Sequence, residues 1–380
     1  MRKVCQFKPY IDPDDIMSLA ESFDENWITE GPKSKEFTEK ICKIAGTKYG
    51  VLAPNGTLAL YLALKALGIG NGDKVIVPNF TFIASANAVE MVGAKPLFVD
   101  IDINNLQIDI EKCHDLLGQR PKAIMPVPLY GLTPDLNKIK NFAEQNNLLM
   151  IEDSAQALGV EWKGKPCGSF GDAACFSFFA DKTITTGEGG FVATNNEELY
   201  NKLLFLRNQG RKNRGSFVHP EIGYNFRMTD MQTSLGLNQL EKFEEIKSKK
   251  IKIFEKYCSL LDSAQGVKIL KPEKNITSFI PFRVILLTEK KEAKELMDYM
   301  GAFGIESRSA FFPLHKQPCF KTMSMTQFFH FNEFEVEASL KNSIDAYDRA
   351  ICLPSYASLE EKDIKYVCET VKSFYNINNR

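Results

Sequence analysis

A chain of 380 residues, 44% hydrophobic and 25% charged, has the composition of a folded globular protein and, at about 150 residues per domain, the length for two domains. Its 47 Lys and Arg balance 48 Asp and Glu for a net charge of -1, which excludes the basic footprint needed to hold a nucleic acid or an anionic membrane surface. Nine scattered Cys with no Cys-x-x-Cys pair, beside only four His, read as free or buried thiols in a reducing compartment and leave no metal site. With no signal-like N-terminus and no apolar run near about 18 residues, the expected location is cytoplasmic.

From residue 49 to 194 short apolar runs alternate with amphipathic stretches, which predicts an α/β fold. Strands are expected at 50–53, 74–78, 96–100, 123–128, 148–152, 174–178 and 191–194. Most are continuously apolar, as in a mostly parallel sheet buried on both faces. Helices are expected at 57–67, 82–92 and 136–146, each flanked by Gly, Pro or Asn. Residues 230–250 read as one long amphipathic helix leading into a second domain. Beyond it, a strand at 279–287 and helices at 291–303 and 359–374 suggest a smaller α+β domain, for a division into 1–250 and 251–380.

Two motifs are set aside on context. Gly68-Ile69-Gly70-Asn71-Gly72 follows a helix and precedes a strand, the reverse of a dinucleotide-binding turn, and reads as a helix C-terminal turn. Asp100-x-Asp102-x-Asn104 has calcium-loop spacing but carries Asn105 where that loop needs Gly, and it continues a strand.

Three others carry chemistry. Asn55-Gly56-Thr57 opens a helix after a strand, where backbone N–H groups cradle a phosphate or a polar side chain caps the helix; both readings stand. Glu152-Asp153 ends an apolar strand at the carboxyl edge, where parallel sheets gather ligand sites. Lys182 follows a buried strand and precedes the turn Gly187-Glu188-Gly189-Gly190, a setting that can lower a lysine's pKa and make it nucleophilic. A phosphate cradle, a strand-end Asp and such a lysine are together what pyridoxal 5'-phosphate (PLP) requires: donors for its phosphate, a carboxylate for its ring nitrogen and an amine for its aldehyde.

In these motifs the sequence resembles the DegT/DnrJ/EryC1/StrS aminotransferases, PLP enzymes of aspartate-aminotransferase-like fold (fold type I). The resemblance runs from Trp27-Ile28-Thr29-Glu30-Gly31-Pro32 through 78–88, Glu152-Asp153-Ser154-Ala155-Gln156, 176–190, Gly223-Tyr224-Asn225-Phe226-Arg227-Met228 and Gly304-Ile305-Glu306-Ser307-Arg308 to Leu353-Pro354-Ser355. It implies that Lys182 bonds the cofactor and then shuttles the substrate proton, and that Asp153 keeps the ring nitrogen protonated. Gln156 would contact the ring hydroxyl, Phe82 would stack on the ring, and Gly56, Thr57 and Ser177 would bind the phosphate. Asn225 would reach the phosphate of a neighbouring subunit, implying a homodimer with shared sites. Arg227, Arg308 and His315 are candidate substrate contacts.

One family branch carries histidine in place of the lysine and dehydrates its sugar; Lys182 argues against it. The reaction implied is transfer of the amino group of L-glutamate, released as 2-oxoglutarate, to the C4 keto group of a nucleotide-linked 4-keto-6-deoxyhexose. The wording is most similar to the perosamine-forming branch, whose substrate is GDP-4-keto-6-deoxy-D-mannose. UDP- or dTDP-linked sugars, amination at C3, and a non-catalytic regulatory protein of the same fold are the alternatives.

Overall fold

A computed structural model describes residues 2–24, 27–211, 215, 217–320 and 333–378. The central sheet has seven strands in the spatial order Tyr49–Ala53, Gly190–Thr194, Ala173–Ser177, Leu149–Asp153, Ala123–Ile124, Lys74–Pro78 and Lys95–Val99. Pairing is parallel from Ala173–Ser177 to Lys95–Val99, and Gly190–Thr194 runs antiparallel to both its neighbours. The mostly parallel α/β sheet expected from the apolar runs is therefore present. Alternate residues of one strand feed two cores: Val75 and Val77 join Phe98 on one face, and Ile76 joins Leu97 and Ile124 on the other. Burial on both faces is why these runs show no polar alternation.

The run expected at 123–128 pairs in the sheet only over Ala123–Ile124. Pro126 and Pro128 have no N–H to give a ladder, although Met125 still donates to the Ile76 carbonyl at 2.8 Å. The helix Gly56–Ala66 begins at Asn55, whose side chain accepts from the Leu58 N–H at 2.9 Å. It ends where Gly68 takes φ +73° and the Ile69 N–H turns back to the Leu64 carbonyl, the helix C-terminal turn expected there. Asp100 accepts from Ser343 N–H and Oγ at 2.8 and 2.6 Å and from Lys112 at 2.7 Å, so it caps the helix Lys341–Arg349.

The single helix expected over 230–250 is two, Asp230–Glu241 and Phe243–Leu261. The break falls at Lys242, whose ammonium is drawn to Asp12 and Asp15 at 2.9 and 2.8 Å. In the second helix Phe243 and Ile246 pack in the core of the large sheet, whereas Ile253, Phe254 and Tyr257 pack in a separate core. The boundary expected at 250 thus lies inside a continuous helix. That second core is built on a four-stranded antiparallel sheet in the order Val267–Ile269, Val284–Thr288, Ala350–Leu353, Arg308–Ser309. Val4, placed by the expected division in the large domain, packs in this smaller core and bonds through its backbone to Gly304 and Glu306. The strand expected at 279–287 begins only at Val284, because Pro281 cannot donate and Phe282 instead gives its N–H to the Tyr130 carbonyl at 3.1 Å. Among the described residues no helix is long and apolar enough to cross a membrane.

Candidate active site

A cavity of about 650 Å³ opens where the parallel strands end and the small sheet approaches. One corner is the start of the helix Gly56–Ala66, with Gly56, Thr57 and Ser177 in its wall. A Cβ on Gly56 would lie 2.9 Å from Ser177 Cβ and 3.3 Å from its Oγ, so only glycine keeps this corner open. The unpaired N–H groups of the first helical turn favour an anion there. Asn55 therefore caps the helix while Gly56 and Thr57 line the hollow; the two readings of that motif are compatible.

Strand alternation separates the two acids at 152 and 153. Glu152 turns away from the cavity and accepts from the N–H groups of Gly168, Phe170 and Gly171 at 2.7, 2.8 and 2.9 Å. Asp153 lines the cavity and is buried, with Ser85 Oγ donating to it at 2.6 Å and the Ala155 N–H at 3.3 Å. Burial holds the Asp153 carboxyl above the usual carboxylate range, against the pull of Ser85, Ala155 and Lys182. A buried carboxylate of this kind is stabilised by a cationic partner placed in the cavity. Gln156 accepts the Tyr130 N–H through Oε1 at 2.7 Å, which directs its amide NH2 to the same space. Phe82, 56% exposed, lies 6.1 Å from Phe311, which stacks on Tyr130, so an aromatic wall faces the cavity.

Lys182 lines the cavity in a loop whose threonines hold the backbone: Thr185 Oγ1 donates to the Phe178 carbonyl at 3.1 Å and accepts the Gly187 N–H at 2.9 Å. Its Nζ stands 3.5 Å from Asp181 Oδ1 and 4.6 Å from the centre of the Phe282 ring. Burial lowers the pKa of Lys182, Asp181 opposes that, and Arg283 adds to it. A helix-start corner, a strand-end carboxylate, an amide, an aromatic wall and a lysine stand around one cavity of the size a ring cofactor and substrate need, and this donor set fits PLP.

The structure does not bring every expected residue here. Arg308 is exposed and lines the cavity. His315 does not line it: it is buried, its backbone N–H bonds Asn79 Oδ1 at 2.9 Å, its Nδ1 lies 2.9 Å from the Asn79 amide, and burial pushes its pKa down to about 4. In this chain it packs in the interior against Asn79, outside the cavity wall where a substrate contact was expected. Asn225 is exposed and outside the cavity, and Arg227 lines a different hollow, bonding Asn208 at 3.2 Å. Conversely Ser85, Asp181, Tyr130 and Arg283 line or brace the cavity without having been expected. Arg283 left a signal, a lone cation in the apolar run 279–287.

Comparison with known proteins bears on this site. The profile of the DegT/DnrJ/EryC1/StrS aminotransferase family matches residues 9–372. The GDP-perosamine synthase of Escherichia coli O157:H7 is 36% identical over 379 residues, covering 99% of this chain and all of that protein. That of Caulobacter vibrioides is 37% identical over 364 residues, covering 94% and 95%. Spr1654 of Streptococcus pneumoniae, solved in its PLP form, superposes with a TM-score of 0.87 at 27% identity over 98% of both chains.

Proposed function

The chain belongs to the DegT/DnrJ/EryC1/StrS aminotransferase family and is a PLP-dependent sugar aminotransferase; from that premise we propose that it moves the amino group of L-glutamate to the C4 keto group of a nucleotide-linked 4-keto-6-deoxyhexose, with GDP-4-keto-6-deoxy-D-mannose as the acceptor. The observation that carries the reading is the convergence of Lys182, Asp153, Gln156 and the Gly56–Ser177 corner on one cavity. The GDP-linked sugar is supported by the names of the two perosamine synthases, each similar over nearly its whole length.

Bound PLP supplies an electron sink for the charge left on a carbon that loses its proton. Gly56, Thr57 and Ser177 would hold its phosphate with backbone and hydroxyl donors. Asp153 would hold a proton on the ring nitrogen, and such a cation would offset the cost of burying that carboxylate. Phe82 would cover the ring and Gln156 would orient it with its amide, since both line the cavity. Lys182, its basicity reduced by burial, carries the proton between the substrate carbon and the cofactor at Nζ. Glutamate exchanges its amino group for the oxygen of one water and leaves as 2-oxoglutarate, and the keto oxygen of the sugar leaves as one water when that nitrogen replaces it, so the two waters cancel. Arg308 at the cavity wall contacts the anionic substrate. Asn225 and Arg227, outside this chain's own cavity, serve the site of a second copy in a homodimer.

The test has two stages. Glutamate is added to the PLP-loaded enzyme until its visible band bleaches, and GDP-, UDP- and dTDP-4-keto-6-deoxyhexoses are then offered separately. Recovery with the GDP sugar alone, with a 4-amino product by mass spectrometry and NMR, supports the proposal; recovery with another nucleotide, or a 3-amino product, replaces it.

A further inference from the structure

Three parts of the chain bring ionisable groups together beside Lys182. Asp181 precedes it, Arg283 leads into the strand Val284–Thr288 of the small sheet, and Lys250 comes from the helix Phe243–Leu261. Arg283 Nη2 lies 2.6 Å from Asp181 Oδ2. Its guanidinium is 4.5 Å from the centre of the Phe282 ring and 5.7 Å from that of Phe7. The other oxygen of Asp181 is the one 3.5 Å from Lys182 Nζ. Lys250 turns its ammonium to the carbonyls of Phe282 and Ser355, at 3.4 and 3.3 Å, so its hydrogen bonds go elsewhere and it acts on Asp181 and Arg283 through charge alone.

We propose that Asp181 is a positioning residue for Lys182, with Arg283 clamping one carboxylate oxygen so that the other faces the lysine amine, and that this pair sets how tightly the amine holds its proton. The proposal rests on the reading of Lys182 as the cofactor lysine. The two members act on the amine with opposite sign: the carboxylate attracts its proton, and the guanidinium both repels it and draws off the carboxylate's charge. Burial makes each effect larger than it would be in water. Asp153 is the further carboxylate acting on Lys182; around Arg283 stand Lys250, Arg308, Tyr130 and Cys352. Because Arg283 enters from the small sheet, the proton affinity of the lysine depends on how that sheet is seated on the large one.

The experiment reads the pH at which Lys182 is half labelled by acetic anhydride in the cofactor-free full-length chain, by peptide mass spectrometry. Asp181→Asn is expected to lower that pH by about one unit and Arg283→Gln to raise it by about as much. D181N/R283Q is expected to lie above D181N, a comparison that leaves no carboxylate stranded and so stands even if the Arg283 single variant does not fold. Shifts of the same sign in the two single variants, or an unmoved midpoint in D181N, overturn the proposal. Borohydride reduction of the PLP-loaded wild type, followed by peptide mapping, tests the premise separately. Label on another lysine overturns the reading of Lys182; label on Lys182 with unmoved titrations overturns only the role given to Asp181 and Arg283.

Discussion

Ser85 Oγ donates to Asp153 Oδ2 at 2.6 Å, across 68 positions of sequence, and so sets the strand-end carboxylate at the cavity wall. A hydrogen bond to a charged acceptor contributes about 1.5–3 kcal/mol. Ser85→Ala should therefore weaken PLP binding about tenfold, measured by absorbance titration, with the fold retained. On the proposed role of Asp153, Asp153→Asn would leave the ring nitrogen without its carboxylate and should lower kcat by at least about 100-fold while the protein still binds PLP.

Gly56→Ala tests the phosphate corner. The added Cβ would meet Ser177 at 2.9 Å, a contact that must be relieved by moving the strand end or the helix start. PLP affinity should fall about 10- to 100-fold with little change in urea stability, because the clash lies at the edge of the hollow and not in a core. The G56A/S177A double variant removes the Oγ but keeps the Cβ, and should recover little.

The buried Lys250 makes stability depend on pH in a stated direction. Burial and the nearby Arg283 bring its pKa from 10.5 to about 7, against Asp181. Between those two values the unfolded chain holds a proton that the folded one has released. Stability should therefore rise with pH across that window, by ~1.4 kcal/mol per unit from this group, and the gain is lost as pH falls toward 7. Urea midpoints measured from pH 7 to 10 should climb for the wild type and climb less for Lys250→Met.

Asp230 holds the start of the helix Pro32–Ala45 from a distance in sequence. Its carboxylate accepts from the N–H groups of Gly31, Lys33 and Ser34 at 2.8, 3.1 and 3.0 Å and from Ser34 Oγ at 2.6 Å, where Gly31 supplies no cap of its own. Asp230→Ala should cost about 2–4 kcal/mol of unfolding free energy, seen as a lower urea midpoint, and Asp230→Asn less.

Much of this architecture is written in local pattern. The runs around Val75–Val77 and Met150–Ile151 announced buried parallel strands because each residue meets a core on one face or the other. The loop holding Lys182 was legible because glycines and threonines are the residues such a turn requires. Lys242 was not legible as a helix break, since no Gly or Pro marks it, and the Asp12 and Asp15 that its ammonium meets there lie more than 200 residues away. Lys250 was hidden among Lys247 and Lys249, because composition does not tell which lysine of a helix points inward.

The order of motifs along the chain, a helix start with Gly56, a strand end with Asp153 and a loop with Lys182, determined by itself that this is a protein built for PLP chemistry, because each motif needs only its neighbours in sequence to take its local shape. Tertiary structure alone decided that His315 serves Asn79 and not the cavity, that Asn225 lies away from its own chain's site, and that Arg283 meets Asp181. Such pairings join distant segments across a fold, and they depend on how two sheets and the helix between them pack, which no short stretch of sequence specifies.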